Sequence, residues 1–179
     1  METSPKIPMI TTPRLVLRPF TIGDFDTLFK IVQEPEIFRY FPSTGAWSED
    51  KVERYIQYQI AHWKKYNYGH WAVVIRETGQ IIGWNGLEYL PDTNETEVGY
   101  LLSGAFWGKG YATESAGAAI KFGLNKFGLN KIGLKEIIGL THPQNLASQR
   151  VLEKSGLSFS RSASYFGMEM FRYSTHMSA

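Results

Sequence analysis

Apolar and polar positions alternate with two different periods along the chain. "RLVLRPF" (14–20) repeats every second residue and stops at Pro19, the mark of a short strand. "TIGDFDTLFKIV" has helical spacing, with Thr21 placed as N-cap and Asp24 completing a capping-box-like pair. After the aromatic, turn-rich stretch "PEIFRYFPSTGAW", Ser48 caps a longer helix predicted to run to about Tyr66. Val52, Tyr55, Ile56, Ile60 and Trp63 share one face of it. "HWAVVIR" and "QIIGWNGLEYL" flank "ETG", a hairpin signal, and "PDTNE" turns the chain again into "TEVGYLL". Three strands in succession with short turns predict an antiparallel meander.

From Gly110 to about Phe127 the spacing is helical again. Ala112, Ala116, Ala119, Ile120, Gly123 and Phe127 fall on one face, with Glu114, Lys121 and Asn125 on the other, so Glu114 is expected in solvent. "FGLNK" occurs twice in tandem, at 122–126 and 127–131. A five-residue echo fits no solenoid unit; the first copy ends the helix, and Gly128 with Asn130 forms its C-terminal turn. "KIGLKEIIGLT" reads as a strand, "HPQNLASQRVLEKSG" as a helix capped by Asn145 and stopped by Gly156, and "LSFSRSASYF" and "MEMFRYST" as closing strands. The order β-α-α-β-β-β-α-β-α-β-β has no linker or composition break. It predicts one mixed α/β (α+β) domain over residues 12–174, with tails at 1–11 and 175–179.

Composition narrows the function classes. The 179 residues are 43% hydrophobic and 20% charged with a net charge of +2, which gives no bulk electrostatic drive toward nucleic acid. The absence of cysteine excludes a disulfide framework, a thiolate nucleophile and a Cys-based metal site. His62, His70, His142 and His176 lack ligand spacing, so no metal is expected. "METSPKIPMI" has no signal-peptide core, and no run approaches the roughly 20 apolar residues that span a bilayer. A cytoplasmic protein without a membrane partner is expected.

The densest chemical signal is "SGAFWGKGYATE" (103–114), three glycines and a lysine before a helix. A Walker A loop needs four residues between its glycines and a hydroxyl after its lysine; here three separate Gly104 from Gly108, and Gly110 follows Lys109. A dinucleotide fingerprint fails where Thr113 replaces the third glycine. Two readings remain: a tight strand-to-helix turn, or a cradle in which the amides of Gly108, Lys109, Gly110, Tyr111 and Ala112 ring a phosphate or pyrophosphate.

"TEVGYLL", "FWGKGYATE" and "HPQNLASQRVLEKSGL", in that order, resemble the GCN5-related N-acetyltransferase (GNAT) superfamily. With "TTPRLVLRPFTIGDFDTLFKIVQEPEIFRYF", the likeness points to the RimJ/RimL-like branch of ribosomal-protein N-terminal acetyltransferases and covers about Thr12 to Tyr173. The resemblance implies a mixed, mostly antiparallel split sheet with acetyl-CoA in the split and no metal. The pantetheine arm would pair with the strand "VGYLL" near Leu101 and Leu102, the pyrophosphate would meet Trp107 to Ala112, and Asn145 would contact the pantetheine. Trp107 stands where the wider superfamily carries Arg or Gln.

The implied reaction is direct attack of an amine on the thioester, needing a base, donors for the developing oxyanion and an acid for the thiolate. Glu97 matches the superfamily's frequent catalytic glutamate and also reads as a strand-edge carboxylate; Glu88 and Glu95 lie in the same neighbourhood. Leu152 occupies the usual place of an acid tyrosine, which leaves Ser148. Asn145 and Ser148 also read as ordinary first-turn residues. Phe38, Tyr40, Phe41, Trp47 and Trp84 are offered as an acceptor slot and equally as core. The acceptor implied is a protein N-terminus, with a small-molecule amine as alternative, for a monomer or homodimer. A catalytically silent acyl-CoA-binding module and an ATP- or GTP-binding protein are the competing classes.

Overall fold

The computed structural model describes residues 7–125 and 132–175. Strands β1 (Ile10–Thr11) and β2 (Leu15–Arg18) lead into α1 (Phe25–Ile31) and α2 (Glu49–Tyr66). The strands β3 (His70–Ile75), β4 (Ile81–Leu90) and β5 (Glu95–Leu102) follow. After them come α3 (Tyr111–Leu124), β6 (Ile138–Thr141), α4 (Leu146–Lys154), β7 (Leu157–Tyr165) and β8 (Met168–Thr175). The order is the expected one with the two-residue β1 added in front. The end of the expected helix at Phe127, the Gly128–Asn130 turn and the second "FGLNK" lie outside the described residues, as does His176.

Local chemistry sets most boundaries. Asp24 accepts the Thr21 backbone N–H at 2.8 Å, as a capping box requires, but the first turn it closes (Ile22–Asp24) is a 3₁₀ turn and α1 begins after it. The same carboxylate takes a two-pronged ion pair from Arg18, 2.7 and 2.8 Å, which tethers the helix entry to β2. Ser48 Oγ accepts the Lys51 N–H at 3.2 Å and opens α2. Asn145 Oδ1 accepts the Ser148 N–H at 3.1 Å and opens α4, and Gly156 ends it at φ +95°.

The eight strands form one sheet in the order β1-β2-β3-β4-β5-β6-β8-β7. Every pairing is antiparallel except that of β5 with β6. Strand alternation sends Ala72, Trp84 and Leu101 to the face covered by α1 and α2, where they pack with Leu28, Ile31, Val52 and Ile56. Leu87, Val98 and Leu102 go to the other face, against Ala116, Ala119 and Ile120 of α3.

The parallel pair is the sheet's weak seam, because β5 and β6 meet at one residue pair only, Glu97 with Ile138. Beyond it, toward Leu102 on one strand and Thr141 on the other, no ladder joins them. Side chains supply the connection. Arg172 of β8, 4% exposed, donates to Glu95 of β5 at 2.8 Å, to Glu136 at 3.0 Å and to Ser160 at 3.2 Å. Tyr165 of β7 donates to the second Glu95 oxygen at 2.8 Å. Together these ties fasten Glu95 of β5 across the seam to β7 and β8.

Truncating Arg172 leaves Glu95 and Glu136 without their shared cation. Arg172→Ala is expected to cost about 3 kcal/mol in urea unfolding. A loss within a few tenths of a kcal/mol would mean the seam does not depend on this network.

Candidate active site

The loop after β5 is shaped by backbone conformation. Gly108 and Gly110 take φ +72° and +80°, a region open to glycine, and a Cβ at Gly108 would meet nothing within 4 Å. Gly110 caps α3 without any side-chain hydrogen bond, so the first-turn amides of Tyr111 and Ala112 carry no side-chain acceptor. This is an open anion cradle at a helix N-terminus. Trp107, 53% exposed, donates its indole N–H to the Leu102 carbonyl at 2.6 Å, folding the loop over the end of β5. Its side chain therefore serves the strand.

An unexpected clasp holds the loop from the N-terminal end of the chain. Glu114, expected in solvent, has its side chain only 15% exposed and accepts from Thr12 Oγ1 at 2.6 Å, the Arg14 N–H at 2.8 Å and Arg14 Nε at 2.6 Å. Three donors and the arginine charge hold its carboxyl below the usual range against the opposing effect of burial. Arg14 also donates to the Lys109 carbonyl at 2.9 Å and lies over the Tyr111 ring at 4.5 Å. Drawing that carbonyl toward Arg14 fixes the peptide between the two positive-φ glycines.

Hydrogen-bond alternation shows what the seam exposes. Ser103 N–H donates to Ile82 C=O at 2.8 Å, so Leu102 and Tyr100 turn their backbone groups away from β4 and into the gap. Leu101 is a correction: its carbonyl crowds Gly83 of β4, and its N–H belongs to that ladder. The donors available in the gap are those of Leu102 and Tyr100.

Glu97 sits where the seam parts. Its carboxyl is pushed up to about 8, first by burial and then by Glu88, with the Leu140 amide of β6 working against both. Glu88 is its direct cross-strand partner on the same face. On the opposite face, Tyr100 Oη lies 2.8 Å from Ser148 Oγ and 3.2 Å from the Ser148 carbonyl. Burial pushes that phenol up, opposed by the serine hydrogen bond.

The structure separates the remaining predicted residues. Gly108, Lys109, Gly110, Tyr111 and Ala112 share the cradle, and Asn145 and Ser148 meet at the N-terminus of α4. Phe38 and Trp84, each 4% exposed, stack on either side of Trp47 at 5.3 and 5.4 Å and fill the core under α1 and α2, with Phe41 edge-on to Phe38. These aromatics pack against one another in the core cluster under α1 and α2. Tyr40 instead stacks on His142, just after β6, at 5.5 Å. Leu152 packs against the bare Gly139, so its position belongs to the core. Sequence reasoning missed Arg14, Tyr100 and His70. Tyr100 lies inside a quoted motif, but its face became readable only with the register. Among the described residues no cluster of three acidic, histidine or cysteine side chains is arranged for a metal, and no helix is long and apolar enough to cross a membrane.

The raised carboxyl carries a stability signature. The folded protein keeps the Glu97 proton up to about pH 8, whereas the ordinary value is 4.5, so the stability of the neutral form is lost as pH rises through that window. Glu97→Gln, neutral throughout, is expected to gain stability relative to the parent progressively from pH 5 to 8 and to level off above. Thermal midpoints across that range test this; a pH-independent difference contradicts the shift.

Residues 14–158 match the acetyltransferase (GNAT) domain family. The chain is 29% identical over 155 residues to YkkB of Bacillus subtilis, spanning 85% of this chain and 86% of that protein. A solved acetyltransferase from Agrobacterium tumefaciens superposes with a TM-score of 0.81 at 27% identity over 95% of both chains. RimL, a ribosomal L7/L12 alpha-N-protein acetyltransferase solved with coenzyme A, superposes with a TM-score of 0.73 over 93% of this chain and 97% of its own; at 15% identity that likeness shows the fold alone. A split sheet, a glycine cradle at a helix N-terminus and a family match over most of the chain agree: the protein belongs to the GNAT acetyltransferase family.

Proposed function

We propose that the protein transfers the acetyl group of acetyl-CoA to a primary alpha-amine, with a protein N-terminus, ribosomal or other, as the acceptor class. The observation that carries the reading is Glu97, a carboxyl at the head of the open seam with a proton affinity in the range of an alpha-amine. An alpha-amino group titrates at about 8 and a lysine side chain at about 10.4. A carboxyl pushed up to about 8 exchanges a proton with the former at little cost. The N-terminal acetyltransferase named among the fold neighbours supports the same acceptor class.

The donor fits the residues present. Amides at Gly108 to Ala112 would hold its pyrophosphate, and the Leu102 N–H with the backbone groups of Tyr100 would take the pantetheine arm in place of a strand, the Leu102 carbonyl being held by the Trp107 indole. Bound there, acetyl-CoA supplies an activated thioester, from which the amine takes the acetyl group while free CoA leaves. Glu97 takes the proton the amine gives up, from the face of α1 and α2. The Leu102 N–H is the backbone donor nearest the loop for the carbonyl oxygen. The paired hydroxyls of Tyr100 and Ser148 supply a proton from the other face. Buried Tyr100 stays protonated through neutral pH, so the pair is a donor and not a second base.

A silent acyl-CoA-binding module would need the cradle but would have no use for a carboxyl with a raised proton affinity or a hydroxyl pair beside the seam. Acetylation should be read by thiol release with peptides bearing free or blocked N-termini, and with lysine and polyamines. Free N-termini are expected to react best, with kcat/KM rising to a plateau near pH 8. Glu97→Gln is expected to lose about 100-fold in kcat with acetyl-CoA affinity kept. Binding without thiol release on a broad acceptor panel would favour the module.

Arg14→Ala removes the clasp on the Lys109 carbonyl. It is expected to weaken CoA binding about tenfold, equivalent to roughly 1.4 kcal/mol, in calorimetric titration. Unchanged affinity would mean the cradle holds its shape unaided.

A further inference from the structure

Against Glu88, the cross-strand partner of Glu97, lies a polar group that the reaction above does not use. His70 of β3 is 6% exposed. Its Nδ1 lies 2.8 Å from the Tyr55 hydroxyl, and its Nε2 faces Glu88 Oε2 at 3.5 Å without a hydrogen bond to it or to any other group among the described residues. Its backbone N–H is held by Gln59 Oε1 at 2.8 Å. Glu88 in turn accepts from Tyr58 at 2.9 Å, and Tyr58 is 49% exposed on α2.

Gly86 is the cross-strand partner of His70, and a Cβ there would stand 2.5 Å from the His70 Cα, so this close approach of the two strands needs glycine. Gly99 on β5 faces the ring, where a Cβ would lie in ordinary contact, 3.5 Å from Nε2. The titratable groups around the ring are Tyr55 and His62 from α2 and Glu88 from β4, with Glu97 of β5 the cross-strand partner of Glu88.

Tyr55 and Glu88 face the two ring nitrogens. Burial pushes the Tyr55 hydroxyl far up, so it stays protonated and able to donate to His70 Nδ1. Burial also pushes the imidazole down, with Glu88 opposing, so the ring is neutral at neutral pH, and in the tautomer protonated on Nε2 that proton points at Glu88. Two carboxyls paired across neighbouring strands do not both ionise freely, and the better-supported one takes the charge. Glu88 accepts from the Tyr58 hydroxyl and faces His70 Nε2 at 3.5 Å, whereas no side chain among the described residues donates to Glu97.

We propose, on the reading of Glu97 as the base, that His70 is a positioning residue whose Nε2–H pins the negative charge of the Glu88–Glu97 pair on Glu88 and so keeps Glu97 as the member that exchanges a proton with the acceptor amine. The proton balance is simple. An acceptor ammonium gives a proton to ionised Glu97, leaving a neutral amine and a neutral carboxyl, and the proton then leaves for solvent past Glu88 at the Tyr58 edge.

The test needs no acceptor. Imidazole ¹⁵N and glutamate side-chain ¹³C spectra of the full chain report the His70 tautomer and the Glu97 titration directly. His70 is expected as the Nε2–H form. Glu88→Gln keeps the shape and an acceptor for Tyr58 but removes the charge, and is expected to lower the Glu97 midpoint by about one pH unit or more. His70→Asn, which lacks a donor at the Nε2 position, is expected to lower it in the same direction, and His70→Gln, which restores one, to bring it back toward the parent. A Glu97 midpoint unmoved by Glu88→Gln or by a folded His70→Asn, or an Nδ1–H tautomer, overturns the proposal. If Glu97→Gln abolishes acetyl transfer while these midpoints stay put, the function stands and only the role of His70 falls.

Discussion

The single bridge between β5 and β6 decides the shape of this molecule. After the Glu97–Ile138 bridge, continued parallel pairing of β5 and β6 would give the Leu140 N–H to the Val98 carbonyl, and that rung is missing. The sheet opens from that point, with the Glu97 carboxyl left at the head of the gap. Opening the sheet there would leave its two halves joined by a single bridge. The buried Arg172, holding Glu95 and Glu136 at once, is therefore a structural counterpart of the gap.

The same opening distributes the chemistry. Along β5 alternate residues face opposite sides, so Glu97 points toward α1 and α2 while Tyr100, three positions on, points toward α4 and Ser148. Between them the backbone of Tyr100 and Leu102 faces the gap. A proton can be removed on one face and supplied on the other, with donor groups of the main chain in the middle. The usual tyrosine position on α4 has become core in this chain, where Leu152 fills the space left by Gly139. Tyr100 brings a phenol to Ser148 from the strand instead.

Elements governed by local chemistry were legible in the sequence. Thr21, Ser48, Asn145 and Gly156 mark helix ends because caps depend on a few neighbouring residues, and the meander follows from short turns between alternating runs. What the sequence concealed depends on register and on distant pairs. Glu114 lies on the polar face of its own helix, and nothing within α3 indicates that Arg14, 100 residues away, will claim it. Leu101 and Leu102 are adjacent and alike, and only the Ser103–Ile82 hydrogen bond shows which amide faces the gap. Phe38, Phe41 and Trp84 have the composition of a binding slot, but Phe38 and Trp84 stack on Trp47, and Phe41 lies edge-on to Phe38.

The phosphate loop shows how such a distant pair replaces a local motif. A loop that met its anion with an arginine or glutamine side chain would declare itself in sequence. Here that position is Trp107, whose indole is committed to the Leu102 carbonyl, and the nearby guanidinium of Arg14 is matched by Glu114 and by the Lys109 carbonyl. Neither side chain is left to supply uncompensated charge to the cradle. The attraction for an anion then comes from the exposed Lys109 ammonium and from oriented amides at the head of α3, whose directions are set by two positive-φ glycines and held by a residue from β2's threshold. Beyond that one charge, binding in such a loop is a property of backbone geometry, and the residues that matter most for it are those that never touch the ligand.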